Sequence, residues 1–214
     1  MKNLLIIIGL VLCSTTSVFS QDQTSFKFLY LSIRSSLDSD MNLNKFLKDQ
    51  ELKTLDNFHH GAGIGVEYQP NKYGVNVEAN YDYIAGDTEF SVVQSKVALL
   101  LRILDTEKWT ANFAPFFAYS VSELKVIYNT ENELDLQSNS SIDGGVLLLN
   151  MNYGNIGIGI HNSFTVKSTN VDFRIGYELA LSESEWKSDN LKLLNFEKEK
   201  RNRLYFNLII PLDI

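Results

Sequence analysis

The stretch YGVNVEANYDYI, residues 73–84, alternates apolar and polar side chains with a period of two. Successive side chains of a β-strand point to opposite faces, so this period predicts a strand with one apolar and one polar face. The stretch is also long for a strand: soluble proteins average roughly 5–6 residues, whereas a tilted strand needs roughly 9–11 to cross a bilayer. The apolar face holds Tyr73, Val75, Val77, Ala79, Tyr81 and Tyr83, and the polar face Asn76, Glu78, Asn80 and Asp82.

The same alternation recurs along most of the chain. With residues 73–84 it predicts nine strand-like segments, the others being 26–34, 60–69, 93–103, 109–121, 141–153, 156–166, 171–181 and 203–214. A closed single-chain bacterial barrel has an even number of strands, so nine is the wrong parity. Either Asn190–Glu197 forms a tenth strand or one weak segment is not a strand. We prefer ten strands and keep eight as the alternative.

Glycine placement favours a closed barrel over a soluble sandwich. Glycine has little to do on a solvent-exposed face, but it relieves crowding inside a narrow barrel, where small and charged side chains fill the lumen. The apolar face then meets lipid. Six glycines fall on the polar face: Gly61, Gly63, Gly65, Gly157, Gly159 and Gly176.

The N-terminus has the pattern of an export signal. Lys2 supplies the positive charge, Leu4–Leu12 is an apolar run, and a small polar stretch follows, so we expect cleavage after Ser20. This divides the chain into a signal peptide, 1–20, and a β-domain, 21–214. Lipidation of Cys13 is the alternative, but Leu12 stands where a small residue is expected. Cleavage after Ser20 leaves a mature chain with no cysteine.

Turn residues separate the segments in two styles. Short connections at Gln69–Tyr73, Asp105–Lys108 and Asn152–Asn155 are typical of periplasmic turns. Longer polar connections cover 38–57, 129–140 and 182–202, and the spacing of Leu43, Phe46 and Leu47 is compatible with a short amphipathic helix in the first of them. Aromatic residues near strand ends suit interfacial girdles: Tyr68, Tyr73, Tyr81, Tyr83, Trp109 and Tyr153.

With the signal, the alternating strands and the short turns, the chain resembles the small Gram-negative outer-membrane β-barrel proteins of the OmpA/OmpX-like group. The resemblance covers residues 22–214 and rests on pattern rather than on a fixed motif. It implies an all-β, closed antiparallel up-and-down transmembrane barrel in the outer membrane, and no catalytic residues. One departure is the ending Pro211-Leu212-Asp213-Ile214, since such barrels usually end in an aromatic residue.

Charged residues on the polar face are the main candidates for a site. Unpaired charges in a dry lumen cost several kcal/mol each, so they are expected to pair or to be hydrated. A salt-bridged plug is the leading interpretation, and a narrow selectivity or proton path is the alternative. The predicted lumen charges are Glu67, Glu78, Asp82, Lys96, Arg102, Asp172, Arg174 and Glu178.

One spot has the residue types of a hydrolase. His161 and Ser163 lie two apart, hence on one strand face, and Glu178 follows one hairpin later. The arrangement is faintly similar to that of outer-membrane lipid A deacylases of the PagL type, but those enzymes place the triad on the lipid-facing surface, whereas this alternation points inward. A polar lumen pair is the simpler interpretation, and we predict that the chain is not an enzyme.

No cofactor is predicted. His59 and His60 are adjacent and so point to opposite faces of a strand, which lets at most one of them join His161 at a metal. No cysteine or carboxylate cluster completes such a shell. Gly61-Ala62-Gly63-Ile64-Gly65 is not followed by a helical pattern, so it lacks the helix N-terminus that cradles a phosphate.

The partner expectations follow from charge and location. A chain of 214 residues with net charge −7 lacks the basic face that nucleic acids require. We expect contacts with outer-membrane lipid and lipopolysaccharide, handling by the export and barrel assembly machinery, and a monomer. The charged stretch 187–203 is most simply a solvated connection; if it faces outside the cell, Lys198, Lys200 and Arg201 are the candidates for contact with lipopolysaccharide. The predicted function is structural or adhesive through exposed loops, with a narrow channel or small-ligand-binding barrel as the alternative.

Overall fold

The computed structural model describes residues 26–49, 52–85, 88–128, 145–166, 169–188 and 197–212. The predicted signal peptide and nearly all of the predicted tenth strand, Asn190–Glu197, lie outside these ranges. The described elements are β1 (Phe26–Asp38), α1 (Asn42–Asp49), β2 (Phe58–Tyr68), β3 (Tyr73–Ile84), β4 (Thr88–Asp105), β5 (Trp109–Tyr128), β6 (Gly145–Val166), β7 (Thr169–Ala180) and β8 (Arg203–Leu212).

The strands close into a barrel in the order β1 to β8, each antiparallel to its neighbours, with β8 pairing back onto β1. This confirms the all-β, closed antiparallel up-and-down barrel. Within the described ranges it has eight strands, so the preference for ten was wrong. The described part of the predicted segment 141–153 and the predicted segment 156–166 belong to the single strand β6, and the predicted turn Asn152–Asn155 lies inside it. Unbroken pairing with β5 overrides the local turn preference there.

The two faces of the barrel are distributed as the alternation predicts. Outward-facing apolar side chains are exposed: Leu99 by 60%, Ile158 by 55% and Ile175 by 43%. Inward-facing charged side chains such as Glu78 and Lys96 are buried. The barrel is therefore apolar on its outer surface and polar in its interior along most of its length.

Inward glycines make room for aromatic rings in the lumen. A Cβ at Gly65 would lie 2.2 Å from the Tyr30 hydroxyl, and one at Gly176 would lie 2.5 Å from the Tyr205 hydroxyl. Both distances are far below van der Waals contact, so no larger residue fits without moving the ring. The expectation that these glycines relieve crowding is confirmed.

The two ends of the barrel differ. The short connections 69–72 and 106–108 lie at one end, the short-loop end, and both match predicted turns. The other end, the long-loop end, carries α1 and residues 181–188 and 197–202. There β5 and β6 stay paired as far as Tyr128 and Gly145, whereas β7 pairs with β6 only as far as Asn155. The part of β5 and β6 beyond β7 is called the β5–β6 extension.

Helix α1 packs on an apolar cluster at the long-loop end. The leucines that suggested a helix, Leu43 and Leu47, are both fully buried in it. Tyr153, predicted for an interfacial girdle, is only 5% exposed and belongs to this interior cluster instead. The cap cluster consists of Met41, Leu43, Leu47, Leu55, Phe90, Val92, Leu124, Val126, Leu147, Leu149, Met151, Tyr153 and Trp186.

Among the described residues, no helix is both long enough and apolar enough to cross a bilayer.

Candidate functional site

The first group of lumen charges surrounds Arg174 of β7. Its Nη2 lies 2.9 Å from Glu67 Oε2 on β2, and its Nη1 lies 2.8 Å from Glu78 Oε2 on β3. The guanidinium also donates to the Tyr30 hydroxyl on β1. A single cation therefore links four strands across the interior, using the planar fork of donors that arginine offers.

Glu78 is the most heavily bonded carboxylate of this group. Its Oε2 accepts from the Tyr30 hydroxyl at 2.9 Å, and its Oε1 accepts from Asn207 Nδ2 at 2.9 Å. Lys96 Nζ lies 3.3 Å from Oε1 and 4.3 Å from the centroid of the Tyr205 ring. The ammonium therefore has both a counterion and an aromatic face, which offsets part of the cost of burying it.

A second group surrounds Glu178, nearer the long-loop end. Arg34 Nη2 lies 2.9 Å from Oε1, and Arg203 Nη2 lies 2.8 Å from Oε2. Gln94 Nε2 donates to Oε2 at 3.0 Å. Arg203 also reaches Asp82 Oδ2 at 2.9 Å through its Nη1. Charges from β1, β3, β7 and β8 therefore meet here across the interior.

A third group lies at the barrel mouth of the long-loop end. Asp38 Oδ2 lies 2.9 Å from His59 Nε2 and is also paired with Arg201. Arg201 Nη1 donates to the Tyr153 hydroxyl at 2.9 Å and to Ser122 Oγ at 3.0 Å. Burial, with Arg203 and Arg34 as nearby positive charges, holds the pKa of Arg201 well below its ordinary value.

The structure places the predicted lumen charges as follows. Arg102 is apart from the others: it pairs with Asp105 at 2.9 Å, three residues along the chain, and its side chain is 20% exposed. The remaining seven are buried inside the barrel: Glu67, Glu78, Asp82, Lys96, Asp172, Arg174 and Glu178.

Sequence reasoning missed four buried charges of the three lumen groups, Arg34, Asp38, Arg201 and Arg203. The period of two could have identified two of them as inward-facing. Arg34 follows Ile33 and Arg203 precedes Leu204, and both of these apolar neighbours face outward. Asp38 is the last residue of β1 and Arg201 lies outside the named strands, so alternation could not assign them a face.

The three residues with hydrolase chemistry are not brought together. His161 lies opposite Arg174 on β7, whereas Glu178 lies opposite Gly157. His161 and Gly157 are four positions apart on β6, a distance of roughly 13 Å along a strand. The carboxylate beside His161 is Glu67, at 3.9 Å, and Glu178 is held by arginines instead. Glu178 is therefore not placed to orient His161, as the predicted triad requires.

The histidines are also separated. His59 is buried against Asp38 at the long-loop end. His60 faces outward, and its Nδ1 lies 3.1 Å from Ser35 Oγ. His161 lies near the short-loop end, in the C-terminal part of β6. In the described part of the chain, no three histidine, cysteine or acidic side chains are grouped so as to hold a metal ion.

Comparison with known proteins gives fold likeness alone. No family model matches the chain, and no curated protein matches it significantly. One similar solved structure is neisserial surface protein A, with 12% identity over 86% of this chain and 97% of that chain and a TM-score of 0.47. Another is Ail, the attachment invasion locus protein of Yersinia pestis, with 12% identity over 86% of this chain and 97% of that chain and a TM-score of 0.42. The N-terminal β-barrel domain of Pseudomonas aeruginosa OprF is also similar, with 12% identity over 85% of this chain and 97% of that chain and a TM-score of 0.37. Likenesses at this level do not indicate what this chain binds.

Proposed function

We propose that this chain is a non-enzymatic outer-membrane β-barrel, with a structural or adhesive role, whose filled barrel is an anchor and whose long-loop end makes contacts outside the cell. The observation that carries the proposal is the inside-out distribution of side chains: the apolar ones face outward and the ionised ones face an enclosed interior. A soluble β-protein of this size requires the reverse.

The outer surface supports membrane insertion because its apolar belt runs around the whole barrel. Soluble monomers rarely expose contiguous apolar patches larger than a few hundred Å². Lipid tails, in contrast, are the natural surroundings of such a belt. Each strand contributes at least one exposed large apolar side chain, for example Leu31, Ile64, Val75, Val97, Phe117, Ile156, Ile175 and Ile210.

The lumen supports an anchor rather than a pore. Side chains just fill the interior of an eight-stranded barrel, and here they are ion-paired across it. Opening a path for a solute would separate Arg174 from Glu78 or Arg203 from Glu178, and each separation leaves a buried charge without its partner. Breaking such a pair costs about 3–5 kcal/mol, so a stable open pore is unfavourable.

Planar-bilayer recording tests the anchor against the channel. The purified chain should give no defined unitary conductance steps at any applied voltage. Reproducible steps whose size changes in a Lys96→Met variant would establish a conducting lumen and remove this part of the proposal. A Lys72→Met variant is the matched control, because Lys72 lies in the exposed short connection 69–72.

Location is tested separately by fractionation. The chain should sediment with outer membranes, and its band should shift on a gel only after heating in detergent, because closed membrane barrels stay folded in cold detergent. Recovery as a freely soluble periplasmic protein would contradict the proposal.

The partner proposal concerns anionic lipid. Lys198 and Lys200 are exposed at the long-loop end and could contact lipopolysaccharide, but Arg201 is buried in the barrel mouth and is not available. Binding to lipopolysaccharide vesicles should weaken in a Lys198→Ala/Lys200→Ala variant and stay unchanged in Lys72→Ala, at the opposite end. Equal binding by all three proteins would remove this partner. We also expect a monomer, inserted by the barrel assembly machinery.

A further inference from the structure

The outer surface of the barrel carries a hydrogen-bonded polar pair, Ser35 of β1 and His60 of β2. The two residues are register partners on neighbouring strands, and Ser35 Oγ lies 3.1 Å from His60 Nδ1. Ser35 is half-buried and His60 is exposed. Along β1 the outward neighbours of Ser35 are Ile33 and Leu37, both exposed apolar side chains. The pair therefore interrupts the apolar belt on β1 and β2.

Aromatic rings surround the imidazole of His60. Tyr83 of β3 is its register partner on the side away from Ser35, and the ring of Tyr81, on the same face of β3, lies 6.3 Å from that of Tyr83. The ring of Phe58 lies 4.8 Å from the imidazole in an edge-to-face arrangement. All three rings are exposed. These residues are called the β1–β3 patch: Ser35, Phe58, His60, Tyr81 and Tyr83.

The β1–β3 patch lies at the level of the membrane surface on the long-loop side. Tyr73 and Tyr83 both face outward on β3 and are ten positions apart, which is roughly 33 Å along a strand. Strands of outer-membrane barrels are tilted by roughly 35–45°, so the two tyrosines differ in height by roughly 25 Å, which is the height of the lipid-facing band. Tyr73 therefore marks one edge of the band, and Tyr83 marks the other.

The two edges of the band are chemically different on these strands. At the short-loop edge, the register partner of Tyr73 is the apolar Leu101. At the long-loop edge, Tyr83 has His60 as a partner, and His60 has Ser35. An aromatic girdle accounts for tyrosines at both edges, but it requires neither a histidine nor a serine. The polar pair therefore distinguishes the long-loop edge from the short-loop edge.

The β1–β3 patch offers hydrogen-bonding groups to a ligand. Among the described residues, none is bonded to His60 Nε2 or to the hydroxyl groups of Tyr81 and Tyr83. A hydroxyl group donates and accepts, and a neutral imidazole nitrogen does either one, depending on the tautomer. The patch therefore suits a headgroup that itself has both donors and acceptors.

Acidic side chains lie beside the patch. The Phe58 N–H donates to Asp56 Oδ1 at 3.0 Å, and Asn57 Nδ2 donates to Asp40 Oδ1 at 2.9 Å. Both carboxylates belong to exposed residues. Carboxylates repel a phosphate but accept hydrogen bonds from hydroxyl groups. The charge beside the patch therefore favours an uncharged polar group over an anion.

We propose that the β1–β3 patch binds the sugar headgroup of a glycolipid in the outer leaflet, with His60 and the tyrosine hydroxyls bonding sugar hydroxyls and the aromatic rings covering the C–H face of the sugar. A sugar has apolar faces and polar edges, which rings and hydrogen-bonding side chains complement together. Such a site rests on the proposed function, since it requires that the long-loop end face outside the cell. It is separate from the lysine contacts proposed above, which concern anionic charge.

Histidine NMR signals of the folded protein in phosphocholine micelles test the site. The chain has three histidines, and His59 and His161 are buried inside the barrel. Monoglucosyl diacylglycerol, an uncharged glycolipid, should shift the imidazole signals of His60 in a saturable manner and leave those of His59 and His161 in place. Diacylglycerol without the sugar, and phosphatidic acid, should give no saturable shift. Absence of a shift with the glycolipid, or an equal shift with either control lipid, would overturn the site.

Two variants test whether the rest of the patch takes part. Tyr83→Leu removes a ring and a hydroxyl, and Ser35→Ala removes the partner that orients His60. Each should weaken the glycolipid affinity read from His60 by about fivefold, as loss of one net hydrogen bond does. Tyr73→Leu, at the opposite edge of the band, is the matched control and should keep the parent affinity. Equal affinities in the parent and all three variants would overturn the site.

Fractionation separates failure of this site from failure of the proposed function. A chain that sediments with outer membranes but gives no His60 response keeps the proposed function and loses the glycolipid site. A chain recovered as a soluble periplasmic protein contradicts the proposed function and, with it, the outer-leaflet ligand.

Discussion

Arg174 Nη1 on β7 lies 2.8 Å from Glu78 Oε2 on β3, so the two side chains meet across the interior of the barrel. Because β3 and β7 are not adjacent in the barrel, this ion pair adds a cross-link that the backbone ladders do not supply. With Lys96 beside Glu78 and Glu67 beside Arg174, the interior is filled by matched charges. Such pairing across the interior agrees with the anchor role proposed above.

Removing the central cation should destabilise the barrel strongly. An Arg174→Met variant leaves Glu67 and Glu78 buried without their guanidinium, and we expect a loss of about 3–5 kcal/mol in the free energy of unfolding. Denaturant titration in lipid vesicles measures it. Arg102→Met is the control, because the partly exposed pair with Asp105 is worth about 0–1 kcal/mol. Equal losses in both variants would contradict a special role for the lumen group.

Adding one methyl group inside the barrel should be costly where a ring is in contact. Gly65→Ala places Cβ 2.2 Å from the Tyr30 hydroxyl, which must shift away from Glu78 and Arg174. We expect a loss of about 1–3 kcal/mol in the free energy of unfolding, typical of overpacking.

Gly154→Ala is the matched control for this substitution. The nearest atom to its added Cβ is Leu181 Cδ1 at 3.3 Å, at the end of a flexible side chain. The control should therefore change stability little, and a loss as large as that of Gly65→Ala would show that glycine flexibility, not lumen crowding, is responsible.

A charge in the outer belt should weaken membrane folding. Ile175, near the middle of β7, is 43% exposed, and Ile175→Arg would put a cation against lipid tails. We expect a loss of about 2–4 kcal/mol, measured by folding into lipid vesicles. Glu123→Arg, at an exposed site on the part of β5 near the long-loop end, should be close to neutral. A water-soluble barrel would tolerate both substitutions equally.

The stability of α1 should depend on pH through Glu199, which accepts from the N–H groups of Asn42 and Leu43 at the helix start. Burial raises the pKa of this carboxyl above its ordinary value, with Glu197 adding to the rise and the N–H donors of Leu43 and Asn42 opposing it. The folded helix therefore binds the proton more tightly than the unfolded segment. The stability of α1 should decrease as the pH rises from the ordinary glutamate range through the raised pKa, and be constant above it.

Hydrogen exchange of α1, corrected for the intrinsic pH dependence of amide exchange, measures this slope. A Glu199→Gln variant keeps a side-chain acceptor for the helix start but cannot ionise, so α1 should lose the dependence in this variant. The same slope in Glu199→Gln would assign it to another group.

Lipid A should be unaffected by this protein. Because Glu178 is held by Arg34 and Arg203 and lies away from His161, cells that express the chain should show the same lipid A mass spectrum as cells without it. Ser163→Ala should leave that spectrum unchanged as well. A deacylated species that appears with the natural chain and disappears in Ser163→Ala would contradict the non-enzymatic proposal.

The strand count shows where local pattern is insufficient. Asn152–Asn155 has turn-forming residues on both sides of Tyr153, and sequence reasoning divided β6 there. The ladder to β5 runs through it without a break, from Phe164 to Gly145. Turn preference is a local free energy of small size, and pairing along a long neighbouring strand exceeds it.

Local sequence pattern predicted the barrel and the face of most strand residues, because a period of two is a local property of an extended chain. It assigned no face to Asp38, the last residue of β1, and it divided β6 in two. Which charges meet depends on the tertiary structure. Arg174 and Glu67 are 107 positions apart, and Arg201 and Asp38 are 163 apart. Their contact depends on strand register around the closed barrel and on how residues 197–202 are seated at its mouth, and neither is encoded in the pattern of any one segment.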